Sequence, residues 1–141
     1  MLRTLLAALI VCFAAWTAHA DTLSEADRAE FQRVITGQIE AFRADDGERA
    51  YGYAAPSIHR IFPNSDIFMH MVKQGYRPVY RPRSFSFEQT GTDPLGRPSQ
   101  RVRIIGPDGK TYEALYSMER QPDGTWRING CALLEVPGAD A

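Results

Sequence analysis

The spacing of apolar positions changes once along the chain, at Gly75. Before it the period is helical. In SEADRAEFQRVITGQIEAFRADD, Phe31, Val34, Ile35, Gln38, Ile39 and Phe42 recur at i, i+3, i+4 steps, one apolar stripe with a single polar member. Ser24 and Asp27 stand three apart ahead of that stripe, the pairing that caps a helix N-terminus. Asp45-Asp46-Gly47 breaks the helix, and Asp46 is placed to cap a second one through GERAYGYAA, which Pro56 ends. Ser57 is placed to cap a single turn, IHRIF, stopped by Pro63. Asn64 caps SDIFMHMVKQ, and Gly75 is expected to terminate it in the left-handed conformation. The pattern predicts one long helix and two or three short ones.

After Gly75 the alternation is that of strands. SFSFEQT puts Phe85 and Phe87 on one face, and SQRVRII follows the loop GTDPLGRP. Pro107-Asp108-Gly109 and Pro122-Asp123-Gly124 are turns with a mechanism, since proline presets the first corner and glycine takes the positive φ. They separate KTYEALYSMER from its neighbours SQRVRII and TWRINGCALLEV. Strands joined by such short turns must be antiparallel neighbours. Helices first and a meander afterwards predict an α+β fold: a long N-terminal helix plus short helices packed on one face of an antiparallel sheet.

The first twenty residues stand apart from this pattern. MLRTLLAALIVCFAAWTAHA has a basic start at Arg3, an apolar run from Leu5 to Trp16 and an A-x-A site at Ala18-His19-Ala20. That is the pattern of a secretory signal peptide, with an apolar run too short for a membrane span. The expected organisation is a signal peptide over 1–20, one domain over 21–136 and a flexible tail over 137–141. The expected product is exported, to the bacterial periplasm or the medium, with no membrane attachment after cleavage. Cys12 leaves with the leader, so Cys131 has no mate for an internal disulfide.

Charge adds one asymmetry. Residues 21–72 hold five Arg against nine Asp and Glu, and residues 77–103 hold six Arg against Glu88 and Asp93. An acidic helical half faces a basic sheet half, while the near-neutral total gives no reason to expect a nucleic-acid partner. The basic half opens with GYRPVYRPRSF. If this is a regular lead-in strand, Arg81 and Arg83 share parity with Phe85 and Phe87 and turn toward the core. They then need partners, which Asp45, Asp46 and Glu48 can supply. Alternatively Pro78 and Pro82 break the ladder and leave the arginines solvated, or an arginine binds an anion in a pocket. Tyr76 and Tyr80 lie on the other parity as a candidate aromatic rim. Arg81, Tyr80, Asp45, Asp46, Tyr76 and Trp126 are therefore the ligand-pocket candidates.

Other chemistry is sparse. Asp66 and His70 stand four apart, and His59 is nearby, but no second spaced pair completes a metal site. Cys131 follows Gly130 among apolar residues, with no basic neighbour in sequence to favour a thiolate, and reads as a buried, inert thiol. Trp126 and Ile128 read mainly as core packing of the last strand. No phosphate loop, nucleotide fingerprint or Ser-His-Asp order is present, so no cofactor, metal or catalytic residue is assigned.

The long helix, the DD break, and the meander ending in DGTWRING resemble the nuclear-transport-factor-2-like superfamily, which includes ketosteroid isomerase and SnoaL-type cyclases. VITGQIEAFRADDGERAYGYAAPSI, MVKQGYRPVYRP and ALYSMERQPDGTWRINGC resemble more closely a bacterial exported domain-of-unknown-function family, number 4864. The resemblance implies a curved sheet forming a cone around helices and a pocket; it implies no reaction. Three function classes follow: a module binding a small apolar or anionic ligand, an isomerase, cyclase or hydrolase using the same pocket, and an interaction module that dimerises through the sheet.

Overall fold

The computed structural model describes residues 22–138. The leader over 1–20, its cleavage site and the last residues of the tail lie outside the described residues.

Helix α1 (Glu25–Arg43) buries Phe31, Val34, Ile35, Gln38, Ile39 and Phe42, the whole stripe that its periodicity marks. Its N-terminus carries the expected reciprocal cap: the Asp27 amide donates to Ser24 Oγ and the Ser24 amide to Asp27 Oδ2, each at 3.0 Å. Its C-terminus closes with a paired motif. The Asp46 amide donates to the Ala41 carbonyl at 2.9 Å and the Asp45 amide to the Phe42 carbonyl at 3.0 Å. This places Asp45 at φ 51°, a left-handed position usually given to glycine.

Asp46 then caps α2 (Gly47–Gly52), accepting from the Arg49 amide at 3.2 Å. Proline at 56 does not end this helix. It occupies the first turn of α3 (Pro56–Ile61), where its missing N–H is no loss, and α2 has stopped at Gly52. Ser57 accordingly lies inside α3 and does not cap it; the N-cap position is Ala55. Asn64 does cap α4 (Ser65–Gly75), accepting from the Ile67 amide at 2.9 Å. Gly75 is the last residue of α4 and is absent from the positive-φ residues, so the left-handed terminator expected there is not formed.

GYRPVYRPRSF is not a lead-in strand. Arg77–Tyr80 form a one-turn helix, α5, with proline in its first turn, and strand geometry begins only at Ser84. Proline at the start of a helix is preorganised, and this local preference overrides the apparent alternation.

The sheet runs β1 (Ser84–Thr92), β2 (Pro98–Ile105), β3 (Thr111–Arg120), β4 (Trp126–Glu135), in that spatial order and antiparallel throughout. Gly109 and Gly124 take φ of 79° and 86° in the two Pro-Asp-Gly turns. The helices pack on the face that carries Val102, Ile104, Ala114, Tyr116, Met118, Trp126 and Ile128.

Two bulges adjust this face. On β1, two residues, Glu88 and Gln89, lie opposite Arg101, and the buried Gln100 amide donates to the Glu88 carbonyl at 3.0 Å. On β4, Asn129 is the extra residue between Ile128, paired with Met118, and Gly130, paired with Ser117. The free edge of β4 is pinned by the α2–α3 connector: the Ala55 amide donates to the Ile128 carbonyl at 2.8 Å and the Ile128 amide to the Tyr53 carbonyl at 2.9 Å.

Candidate functional site

Three clusters hold the polar chemistry. The first is the corner where α1 ends. Arg81 Nη2 lies 2.9 Å from Asp45 Oδ2, the pairing that the charge asymmetry suggests. Arg81 Nη1 also donates to the Phe42 carbonyl, one of the last acceptors of α1, and the Tyr80 hydroxyl donates to Asp45. The guanidinium lies 4.0 Å from the Tyr80 ring centroid. The hydrogen bond from Tyr80 holds the Asp45 carboxyl below its ordinary range, helped by the Arg81 and Lys73 charges, and raises the Tyr80 phenol in return. Both charged partners retain solvent, so the cluster fastens α5 to the α1 terminus. Asp46 is occupied as the α2 cap, and exposed Arg83 reaches the Pro107 carbonyl at 3.0 Å.

The second cluster joins the start of α1 to β4. Trp126 meets Phe31 edge to face at 4.8 Å, and its Nε1 donates to Asp27 Oδ1 at 3.1 Å. Arg120 binds the same carboxylate oxygen at 2.8 Å and lies against the indole. Backbone hydrogen bonding at Ser24 leads the lowering of the Asp27 pKa, with Trp126 and Arg120 adding to it. The residue is a structural clasp.

The third is a cavity of about 350 Å³ between the helices and the sheet. Its buried walls come from Phe42 of α1, Phe68 and Val72 of α4, Val79 of α5 and Ile128 of β4. Half-buried Ile58, Phe62, Met71 and Tyr76 form its rim. Phe68 stands 6.2 Å from Phe42 and 6.3 Å from Phe62, ring centre to ring centre, so one side is an aromatic panel. The α2–α3 connector contributes Ala54.

The polar groups gather at the sheet. Tyr116 and Cys131 are direct partners across β3 and β4, and both line the cavity. Cys131 reaches this face only because of the Asn129 bulge: uninterrupted alternation from Trp126 and Ile128 would turn it outward. Tyr76 donates its hydroxyl to the Cys131 carbonyl at 3.1 Å, and Gln38 donates Nε2 to the Ala50 carbonyl at 3.1 Å. The Tyr116 hydroxyl is buried with no oxygen or nitrogen partner, only the weakly accepting Cys131 thiol beside it. Burial pushes its ionisation well above the ordinary phenol range, and the neighbouring thiol adds to the effect. Cys131 is half-buried as a residue, not the fully buried one expected from the sequence; the low-polarity surroundings of its thiol push it up to about 12, and burial raises Tyr76. At neutral pH this end of the cavity is polar and uncharged.

Of the six residues singled out in the sequence, only Tyr76 lines the cavity. Arg81, Tyr80 and Asp45 assemble at the α1 corner, Asp46 at a helix cap, and Trp126 at the α1–β4 clasp. Tyr116 and Gln38 carry no local motif. The signal for Tyr116 is the parity it shares with Ala114 and Met118, which places it on the core face with a hydroxyl to satisfy. His59 packs on the Tyr51 ring at 3.8 Å and bonds the Tyr51 carbonyl at 2.8 Å, so it is a packed side chain as well as a partly exposed one. Among the described residues no group of three or more His, Cys, Asp and Glu is placed to hold a metal ion, and no helix is long and apolar enough to cross a membrane.

A protein family described as a domain of unknown function, DUF4864, matches residues 24–141. No curated protein and no solved structure matches the chain.

Proposed function

The chain belongs to the DUF4864 family of domains of unknown function, and we propose that it acts as an exported binding module for a small apolar ligand held between the helices and the sheet. One observation carries this reading: a cavity of about 350 Å³ with aromatic and aliphatic walls, lined at the sheet by Tyr116, whose buried hydroxyl has no oxygen or nitrogen partner. Ligand sites combine an apolar lining with a few placed polar groups, and this volume lies in their usual range. Export rests on the leader at 1–20, with cleavage after Ala20. The element order and the sheet-backed cavity favour a nuclear-transport-factor-2-like cone as the architecture.

An acid–base enzyme is the less favoured reading. It needs a carboxylate or imidazole facing the bound molecule, and among the described residues lining the cavity there is none. The thiol and phenols facing it are held in their neutral forms.

Native mass spectrometry of protein purified without detergent tests the binding reading. A low-mass adduct that leaves on denaturation is expected. Met71→Trp, at the half-buried rim, should lower its occupancy by obstructing the mouth. Absence of any adduct, together with failure of the protein to take up small apolar probes, would overturn it.

A further inference from the structure

We propose that the ligand is a neutral molecule with an apolar body and one carbonyl oxygen, which the Tyr116 hydroxyl receives as hydrogen-bond donor. This rests on the binding reading above and specifies its chemistry.

Tyr116 lacks a strong acceptor for its hydroxyl. A buried hydroxyl without a partner is costly, so native interiors nearly always satisfy it. Its two neighbours across the sheet do not. Gln100, its partner on β2, is fully buried and directs its amide hydrogens at the Glu88 and Arg101 carbonyls, while its own Oε1 is also unpartnered. Cys131, its partner on β4, offers only sulfur, a weak acceptor that interacts with the hydroxyl without replacing an oxygen acceptor. Tyr116 lines the cavity, so a molecule there can supply the acceptor.

The remaining lining sets the class. Walls of Phe42, Phe68, Val72 and Val79 fit a hydrocarbon body. About a dozen non-hydrogen atoms fill 350 Å³ at ~30 Å³ each, the share of a water molecule in the liquid. Among the described lining residues no Lys, Arg or His is present to neutralise a carboxylate or phosphate, and burying an unpaired charge is prohibitive. An anionic ligand is therefore disfavoured, although the cationic Arg81 lies nearby: its guanidinium is engaged with Asp45 and the Phe42 carbonyl. A carbonyl is a good neutral acceptor for a phenol and needs no such cation.

Three probes of matched length separate the possibilities: 2-decanone, decane and decanoate, offered to wild-type protein and to Tyr116→Phe at neutral pH. Binding is read by native mass spectrometry and by the shift in unfolding temperature. Wild type should prefer the ketone to the alkane by about two- to tenfold, the range of one neutral hydrogen bond, and should bind decanoate most weakly. Tyr116→Phe should retain the alkane and lose the ketone preference. Equal binding of ketone and alkane by wild type, a preference for decanoate, or a ketone preference that survives in Tyr116→Phe would each overturn the assignment while leaving the apolar cavity intact. Failure of all three probes to bind wild type would overturn both this inference and the binding reading.

Discussion

A phenol hydroxyl buried without a partner costs folding about 1–3 kcal/mol, and Tyr116, only 1% exposed at the centre of β3, comes close to that position, with nothing but the weakly accepting Cys131 thiol beside its hydroxyl. The ring itself packs well, so the hydroxyl alone is at odds with folding. Tyr116→Phe, freed of ligand by unfolding and refolding, should therefore be more stable than wild type by about 1 kcal/mol in urea titration. Unchanged or lowered stability would mean that the hydroxyl already has a partner in solution. Arg81 is the opposite case, a residue whose two terminal guanidinium nitrogens both donate to protein oxygens. Arg81→Ala should lose the hydrogen bond to the Phe42 carbonyl, about 1 kcal/mol, together with a solvent-screened pairing to Asp45. A double-mutant cycle with Asp45→Asn checks the coupling, and strictly additive effects would show that the pair contributes nothing. The pairing was legible from charge alone, since an acidic helical half faced a basic segment. The route through strand parity was not sound, because Pro78 starts a helical turn and puts Arg81 at its end.

At the scale of elements, the bulge on β4 decides what the cavity contains. Asn129 shifts the parity of the strand, so that Ile128 and Cys131, an odd step apart, face the same side. The bulge leaves Gly130 against β3: a Cβ there would stand 2.8 Å from Ser117 Oγ. Gly130→Ala should thus destabilise by about 1–3 kcal/mol through overpacking. Combining it with Ser117→Ala, which removes the obstructing oxygen, should recover most of the loss; a double variant as unstable as the sum of the two would show that the backbone and not the hydroxyl is the obstacle. Elements set by local chemistry were readable in advance. Ser24, Asp46 and Asn64 cap helices because their side chains fit the free amides, and two Pro-Asp-Gly turns fix the meander. The bulge was not, since Gly130 is compatible with a bulge, a bend or a close approach, and nothing in NGC fixes which residue is the extra one. Without it, period-two counting turns Cys131 outward and breaks up the polar end of the cavity. Gly75 and Pro56 misled for a related reason: each suits several positions around a helix end, and tertiary packing chooses among them.

Over the whole molecule, the groups that face the cavity share an electrostatic bias toward their neutral forms. Cys131 titrates near 12 where an unfolded thiol titrates near ~8.5, and Tyr76 and Tyr116 are raised above the ordinary phenol value of 10.0. Each folded-state value is higher than its unfolded one, so the folded protein binds more protons in alkali. The stabilisation is fully present below the unfolded pKa and is lost as pH rises toward the folded one. The thiol acts first, from about pH 8.5 upward, at ~1.4 kcal/mol per pH unit once the unfolded thiol is ionised. The cavity phenols follow above pH 10, joined by Tyr112, whose hydrogen bond to Asp108 raises it to about 12. Urea unfolding between pH 7 and 11 should show stability declining in those two stages. In Cys131→Ala the first stage should vanish, with the curve level to about pH 10 and falling only thereafter. The same thiol should resist alkylation in native protein at pH 8 and react on unfolding. If the Cys131→Ala curve runs parallel to wild type from pH 8.5 to 10, or the native thiol labels at the rate of a free cysteine, then water reaches Cys131 freely. The polar end of the cavity would then be a wet surface, and the neutral environment that favours an uncharged ligand over an anion would not exist.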